Sequence, residues 1–314
     1  MSTKATVIYH SADFDGLFCR EIARKFLPDA ELVGWDFGQP ALEIPNGPIY
    51  VLDLPLDAPF GFNYNETDKE RGPQHPPGLV WIDHHKSSIC SHPTDIPGYR
   101  IDGVAACRLA WAYFTAAIDD YALILPSKQE FISRLVSEPL AVRLAGEYDV
   151  WDKRDPHADI FQHGLRSREL TPEVWAQLLD DGVDSALQGT GMDITPSEQM
   201  AMVLIEAGSA IQYAKTHENE SIIKTAGFDL DFEGLHFLAC NHARYNSFLF
   251  TAGLKPEHDA CLGFAWKGGK WTVSLYHAPG KEHHDLSLIA VKHGGGGHRG
   301  ACGFRGKTLP FNLN

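Results

Sequence analysis

Short runs of apolar residues ending abruptly in polar ones mark the first hundred residues. Ala5 to His10 (ATVIYH), Glu31 to Trp35 (ELVGW), Pro48 to Leu54 (PIYVLDL) and Gly78 to Asp83 (GLVWID) each read as a strand rich in β-branched and aromatic residues. Between the first two, LFCREIARKF (17 to 26) carries apolar residues at helical spacing. Strands too apolar to alternate, interleaved with helical patterns, predict a parallel sheet built from βα units. The stretch from Pro55 to Gly78 reads as a long excursion, which is either a functional lid or an insertion. Helical patterns continue at VAACRLAWAYF (104 to 114) and FISRLVSEPLAVRLAGEYDVWD (131 to 152), and an amphipathic stretch from Pro196 to about Lys224 predicts a connecting helix.

Beyond Gly227 the pattern changes. LHFLAC, CLGFAW and WTVSLYH read as strands, with KGGK turning one into the next, and DLSLIAVKH predicts a helix capped by Asp285 that runs into Gly294 to Gly297. The expectation is an α/β protein: a Rossmann-like parallel-sheet domain over 1–195, a helical linker over 196–226, and a smaller mixed α/β domain over 227–314. A length of 314 residues suits two cores.

Composition adds limits. The six cysteines are scattered without a CxxC pair, so neither a zinc ribbon nor a disulfide framework is indicated, and they read as reduced, mostly buried thiols. No signal-like segment and no membrane-length apolar run is visible, which makes the cytoplasm the expected location and a membrane partner unexpected. The formal net charge of −14 argues against a groove for long duplex nucleic acid, because such binding relies on many Lys and Arg contacts to phosphates. Short anionic substrates fit better, provided cations offset the acids.

The acids and histidines are placed where such cations would sit. His10, Asp13 and Asp15 occupy the loop after the first strand, Asp53 ends another strand, and Asp83, His84 and His85 end a third. In open α/β sheets, sites form outside the carboxyl ends of the strands. Asp149 comes after a helical run and could reach the same edge. Carboxylates suit Mn²⁺ or Mg²⁺, and imidazole tilts the choice toward Mn²⁺, Co²⁺ or Zn²⁺. Taken singly, each Asp is a turn or helix cap and each His a satisfied structural residue. The ordered combination of HxxDxDG, an isolated strand-end Asp and DHH is what points to a binuclear centre.

Through HSADFDG (10 to 16), VLD (51 to 53), IDHH (82 to 85) and YDVW (148 to 151), the chain resembles the DHH phosphoesterase superfamily, and GGGGHRGACGF (294 to 304) resembles the glycine-rich signature of its DHHA1 domain. The resemblance implies two divalent ions, Mn²⁺ first and Mg²⁺ or Co²⁺ as alternatives. His10, Asp13 and Asp53 would hold one ion, and Asp15, Asp53, His84 and Asp149 the other, with Asp53 bridging. Asp83 would orient its neighbours, and His85 would face the phosphate as stabiliser or proton donor. Gly295, Gly296, Gly297, His298 and Arg299, whose bare backbone N–H groups and charge suit phosphate, would contact substrate, with Arg244 as a further contact. The implied reaction is two-metal activation of water for hydrolysis of short oligonucleotides to 5′-nucleotides, as in nano-RNases. Phosphatase action on 3′-phosphoadenosine 5′-phosphate, and cleavage of linear or cyclic dinucleotides, are the alternatives. A nucleotide-binding regulator that has lost catalysis is the reading from another class. A dinucleotide-binding Rossmann protein is disfavoured, since GxGxxG is missing from the first strand-to-helix loop. Oligomeric state is left open, a homodimer included.

Overall fold

The computed structural model describes residues 4–60, 76, 78–92, 96–115, 127–133, 137–152, 154–182, 194–243 and 245–313. It divides into two compact units, Met1–Ser209 and Ala210–Asn314, with the boundary inside one long helix.

In the first unit, β1 (Thr6–His10), β2 (Glu31–Trp35), β3 (Ile49–Leu52) and β4 (Leu79–Ile82) form a parallel sheet in the order β2-β1-β3-β4. The predicted strands are all present, at or slightly inside the bounds of their apolar runs. Side chains alternate between two cores: Val7, Leu52, Val80 and Ile82 face a helical layer, while Ile8, Ile49, Val51, Leu79 and Trp81 pack on the opposite side. Burial on both faces explains why these strands read as unbroken apolar runs. The helical layer includes α1 (Phe14–Phe26), α3 (Ala106–Thr115) and α5 (Leu140–Asp149), and the short α2 (Lys86–Ser91) comes after β4. Because β1 leads to β2 on one side and β3 returns to the other, the chain reverses direction between β1 and β3, the position where α/β sheets open a crevice at their strand ends.

The helical stretch predicted over 131–152 is two helices, α4 (Lys128–Ser133) and α5, with Pro139 as the N-cap of the second. Proline lacks the N–H for an interior turn and disfavours helix in the residue before it. Besides the short α2, two longer elements of this unit were not foreseen: α6 (His157–Leu165) and α7 (Pro172–Leu178). The second carries a readable start signal, Thr171 as cap and Pro172 in the first turn. The linker prediction corresponds to α8 (Pro196–Ala226). Most of the 55–78 excursion, residues 61–75 and 77, lies outside the described residues.

The second unit is a mixed sheet in the order β5-β6-β7-β8-β10-β9, formed by β5 (Gly227–Phe232), β6 (Leu235–Asn241), β7 (Ala260–Lys267), β8 (Lys270–His277), β9 (Gly296–His298) and β10 (Ala301–Gly306). In this sheet β6 and β7 pair in parallel and the other neighbours pair antiparallel. Gly268 (φ 57°) and Gly269 (φ 81°) make the two-residue turn between β7 and β8, a conformation that requires positive φ twice. One face packs on α10 (Leu286–Lys292) through Leu262, Phe264, Leu275 and Phe304; the other meets α9 (Ser247–Phe250) and the end of α8 through Leu238, Cys240 and Ile223. Asp285 caps α10 as predicted. All six cysteines are free and only Cys90 is exposed. Among the described residues, no helix is long and apolar enough to cross a membrane.

Candidate metal centre

Six of the predicted residues converge at the carboxyl ends of β1, β3 and β4. His10 is the last residue of β1, and the turn after it is closed by Asp13, which caps α1 by accepting from Gly16 N at 3.0 Å. Asp13 is thus a helix cap and, on its other oxygen, a neighbour of His10 Nδ1 at 3.0 Å. Asp15 lies buried in the first turn of α1, with both oxygens anchored by the start of α3: Ala106 N donates to Oδ2 at 2.9 Å and Cys107 N to Oδ1 at 2.7 Å. Asp53 comes directly after β3 in a left-handed conformation (φ 59°) that is rare outside glycine and characteristic of constrained sites.

His84 and His10 meet opposite oxygens of Asp53. His84 Nε2 is 3.3 Å from Oδ1, and His10 Nδ1 is 3.5 Å from Oδ2. His84 Nε2 also lies 3.3 Å from Asp149, the last residue of α5, and 3.5 Å from Asp15. Two sets of donor atoms therefore cluster, His10 with Asp13 and Asp53, and His84 with Asp15 and Asp149. Asp53 belongs to the first set and touches the second.

Asp83, fully buried, organises the next layer. Its Oδ1 accepts from His84 N at 2.8 Å and His85 N at 3.3 Å, and lies 2.7 Å from His85 Nδ1. With Nδ1 committed to Asp83, His85 keeps Nε2 for a ligand. Asp36 was not anticipated: its Oδ1 is 3.3 Å from His10 Nε2, while Nδ1 of the same ring meets Asp13 and Asp53. The only signal for Asp36 in the sequence is an acid directly after strand β2, which by itself reads as a turn residue.

Protons respond to this crowding. His10 is raised to about 11, first by its hydrogen bond to Asp13 and then by Asp53. Burial pulls His84 down, but Asp53, Asp15 and Asp149 outweigh it and hold it at about 10. Burial, followed by the neighbouring carboxylate charge, pushes both Asp15 and Asp149 up to about 7. Asp13 also feels burial upward, yet the His10 hydrogen bond carries it below the ordinary carboxylate range. The fit to divalent cations rests on the same facts: four carboxylates face two imidazoles, and Asp53 Oδ2 is buried without a well-formed hydrogen bond. Hard oxygens with two imidazole nitrogens form a donor set for Mn²⁺-class ions.

No family model matches the sequence, and no curated protein matches it. Solved structures do align over most of the chain. A pGpG-specific phosphodiesterase from Vibrio cholerae is 15% identical, with 97% of this chain and 93% of that one covered and a TM-score of 0.44. An exopolyphosphatase-related protein from Bacteroides fragilis is 12% identical, covering 99% and 88% at a TM-score of 0.39. RecJ from Thermus thermophilus, in complex with Mn²⁺, is 15% identical, covering 96% of this chain and 49% of that one at 0.41. At such identities the chemistry of this chain rests on its own donor atoms.

The remaining predicted residues belong to the second unit. The glycine run is not the bare loop that four consecutive glycines suggest. Gly294 N donates to Val291 O and Gly295 N to Ala290 O, finishing α10, and Gly296 opens edge strand β9. Two of these glycines have a packing reason: a Cβ on Gly295 would lie 2.0 Å from Gly303 O, and one on Gly297 2.7 Å from Cys302 Cα. A Cβ on Gly296 would face open space. His298 and Arg299 are exposed, and Arg299 Nη2 donates to His283 O at 2.8 Å. Arg244 lies outside the described residues.

Proposed function

We propose that this chain is a metal-dependent phosphoesterase of the DHH/DHHA1 type that hydrolyses short oligonucleotides to 5′-nucleotides. The observation that carries the reading is Asp53, a buried carboxylate whose two oxygens face two different histidines, each inside its own group of acids. His10, Asp13 and Asp53 would hold one ion, and Asp53, Asp15, His84 and Asp149 a second, with Mn²⁺ the best match and Mg²⁺ or Co²⁺ alternatives. Bound there, the ions would supply charge for the phosphoryl oxygens and lower the pKa of water.

The chain's own groups do the rest. Asp83 fixes the orientation of His84 and His85 through two backbone N–H groups and one ring nitrogen. The Asp83 hydrogen bond raises the His85 pKa, which favours the protonated imidazole and suits it to give a proton to the leaving oxygen. Asp15, clamped by two amides of α3, cannot swing away when charges at the centre change. In the second unit Gly295, Gly296, Gly297, His298, Arg299 and Arg244 would contact substrate. Cleavage of 3′-phosphoadenosine 5′-phosphate or of a dinucleotide would use the same centre with a different recognition surface.

The test is a comparison of labelled oligoribonucleotides of a few residues, phosphoadenosine phosphate and a cyclic dinucleotide, each with and without Mn²⁺. Turnover of the oligoribonucleotide should depend on metal, and Asp53→Ala should lower it by about 1,000-fold or more while the protein stays folded. Metal-independent turnover, or an active Asp53→Ala variant, would overturn the assignment. His298→Ala should raise KM more than it lowers kcat.

A further inference from the structure

Among the described residues of the first unit, two aromatic side chains are strongly exposed, Phe37 at 58% and Trp151 at 65%. Phe37 lies against one histidine of the metal centre, and Trp151 follows one of its acids in the chain. The Phe37 ring meets the His10 imidazole edge-on, with centroids 5.8 Å apart, and Trp151 stands two residues after Asp149.

Trp151 is also held in an unfavourable backbone state. Its φ of 56° is left-handed, a region that crowds the Cβ of any L-residue and that bulky side chains rarely occupy. The end of α5 places it there: Trp151 N donates to Tyr148 O at 3.1 Å and Asp152 N to Glu147 O at 2.8 Å, the backbone bonds that close a helix through a left-handed residue. Glu147, 2% exposed, then ties down the next turn of chain, accepting from Asp155 N at 3.1 Å and pairing with Arg154 at 3.3 Å and Arg143 at 3.4 Å. A tryptophan in the left-handed position that ends a helix, where glycine costs least, with its ring edge-on to Tyr148 at 6.4 Å and the residue 65% exposed, is poorly explained by stability. Strain of this kind collects at ligand sites. Phe37 is fixed in turn by its own N–H, which donates to Asp36 Oδ1 at 2.7 Å, the oxygen that also meets His10.

We propose that Trp151 and Phe37 are stacking platforms for the two nucleobases on either side of the scissile phosphate. The inference rests on the phosphoesterase reading and narrows its substrate to a phosphodiester carrying a base at each end, in preference to a mononucleotide with a terminal phosphate. A phosphodiester seated between the His10 and His84 groups has one nucleoside on each side of phosphorus, and an exposed, uncharged flat ring suits any base, whatever its sequence.

The test measures binding of a phosphonate-linked diadenosine, which is not hydrolysed, against the same compound lacking one base or the other, to the Mn²⁺-loaded protein. Wild type should prefer the two-base compound by about 5- to 100-fold over each abasic form. Trp151→Gly should erase most of one preference and Phe37→Ala most of the other, while Trp151→Phe retains it. Because glycine suits a φ of 56°, Trp151→Gly should melt no lower than wild type, which separates a ligand role from a structural one. Equal binding of two-base and abasic compounds by wild type, or preferences unchanged in both variants, would overturn the stacking proposal even if Mn²⁺-dependent hydrolysis is found. A clear base preference without any metal-dependent hydrolysis would instead sink the phosphoesterase reading and leave the stacking sites standing.

Discussion

At the scale of single residues, the centre depends on side chains that serve two partners at once. Asp13 caps α1 and meets His10, and Asp83 accepts from two backbone amides while fixing a ring. Removing such a group exposes the needs of both partners. Asp83→Ala should strand the His84 and His85 amides in a buried site, costing about 1–3 kcal/mol for each donor left without an acceptor. It should also lower metal-supported activity by about 10- to 100-fold through loose orientation of the histidines. Chemical denaturation and a Mn²⁺ titration of the variant check the two parts separately, and unchanged Mn²⁺ affinity would show that Asp83 orients nothing. The sequence made the residues closest to the centre legible because strand-end acids and histidines recur in a fixed order. It hid Asp36, whose lone position after β2 looks like an ordinary turn until the fold sets it beside His10. The buried clamp on Asp15 was equally invisible, since the donors are backbone amides about ninety residues away in the chain.

Elements position these residues through close contacts that tolerate little change. Gly16 lies where α1 crosses the end of β1, and a Cβ there would fall 1.9 Å from His10 O, so only glycine permits the approach. Gly16→Ala should push α1 away from the strand, moving Asp15 relative to His84 and destabilising the unit by about 1–3 kcal/mol, as overpacking does. The expected result is a lower melting temperature together with loss of Mn²⁺ binding; a variant that melts normally and still binds would mean the helix can shift without cost. The four strands of the first sheet, β6 to β8 of the second and the long α8 were legible because their apolar patterns are strong and their turns chemically marked, as at Gly268 and Gly269, whereas β5, β9 and β10 were not foreseen. The break between α4 and α5 was missed because the apolar spacing continues across Pro139, and the proline's missing N–H overrides periodicity. The local structure of the glycine run was hidden for the opposite reason. Its composition suggested free N–H groups, whereas the fold spends Gly294 and Gly295 on ending α10 and Gly296 on starting β9.

For the molecule as a whole, the concentration of charge at one sheet edge links stability to protons and metal. His10 and His84 rise from an ordinary 6.5 to about 11 and about 10, and Asp15 and Asp149 rise from 3.8 to about 7. Each raised group binds its proton more tightly in the folded chain than in the unfolded one. The stability the acids contribute is therefore fully present below their ordinary value and lost as pH climbs through about 7; that of the histidines is full below 6.5 and lost as pH climbs through about 10 to 11. Asp13, lowered instead, loses its contribution only in acid, below the pH range in which the other four titrate. Without metal, the melting temperature should fall steadily from about pH 6 to about pH 9. Divalent cations compete with those same protons, so they bind better as the protons leave, and a ligand that binds only the folded state raises its melting temperature according to its affinity. The rise in melting temperature caused by saturating Mn²⁺ should accordingly be small near pH 6 and grow toward pH 9, with a calorimetric titration showing proton release on binding at intermediate pH. A Mn²⁺ effect that is the same at every pH, or binding without proton release, would mean that the ions do not sit among His10, His84, Asp15 and Asp149.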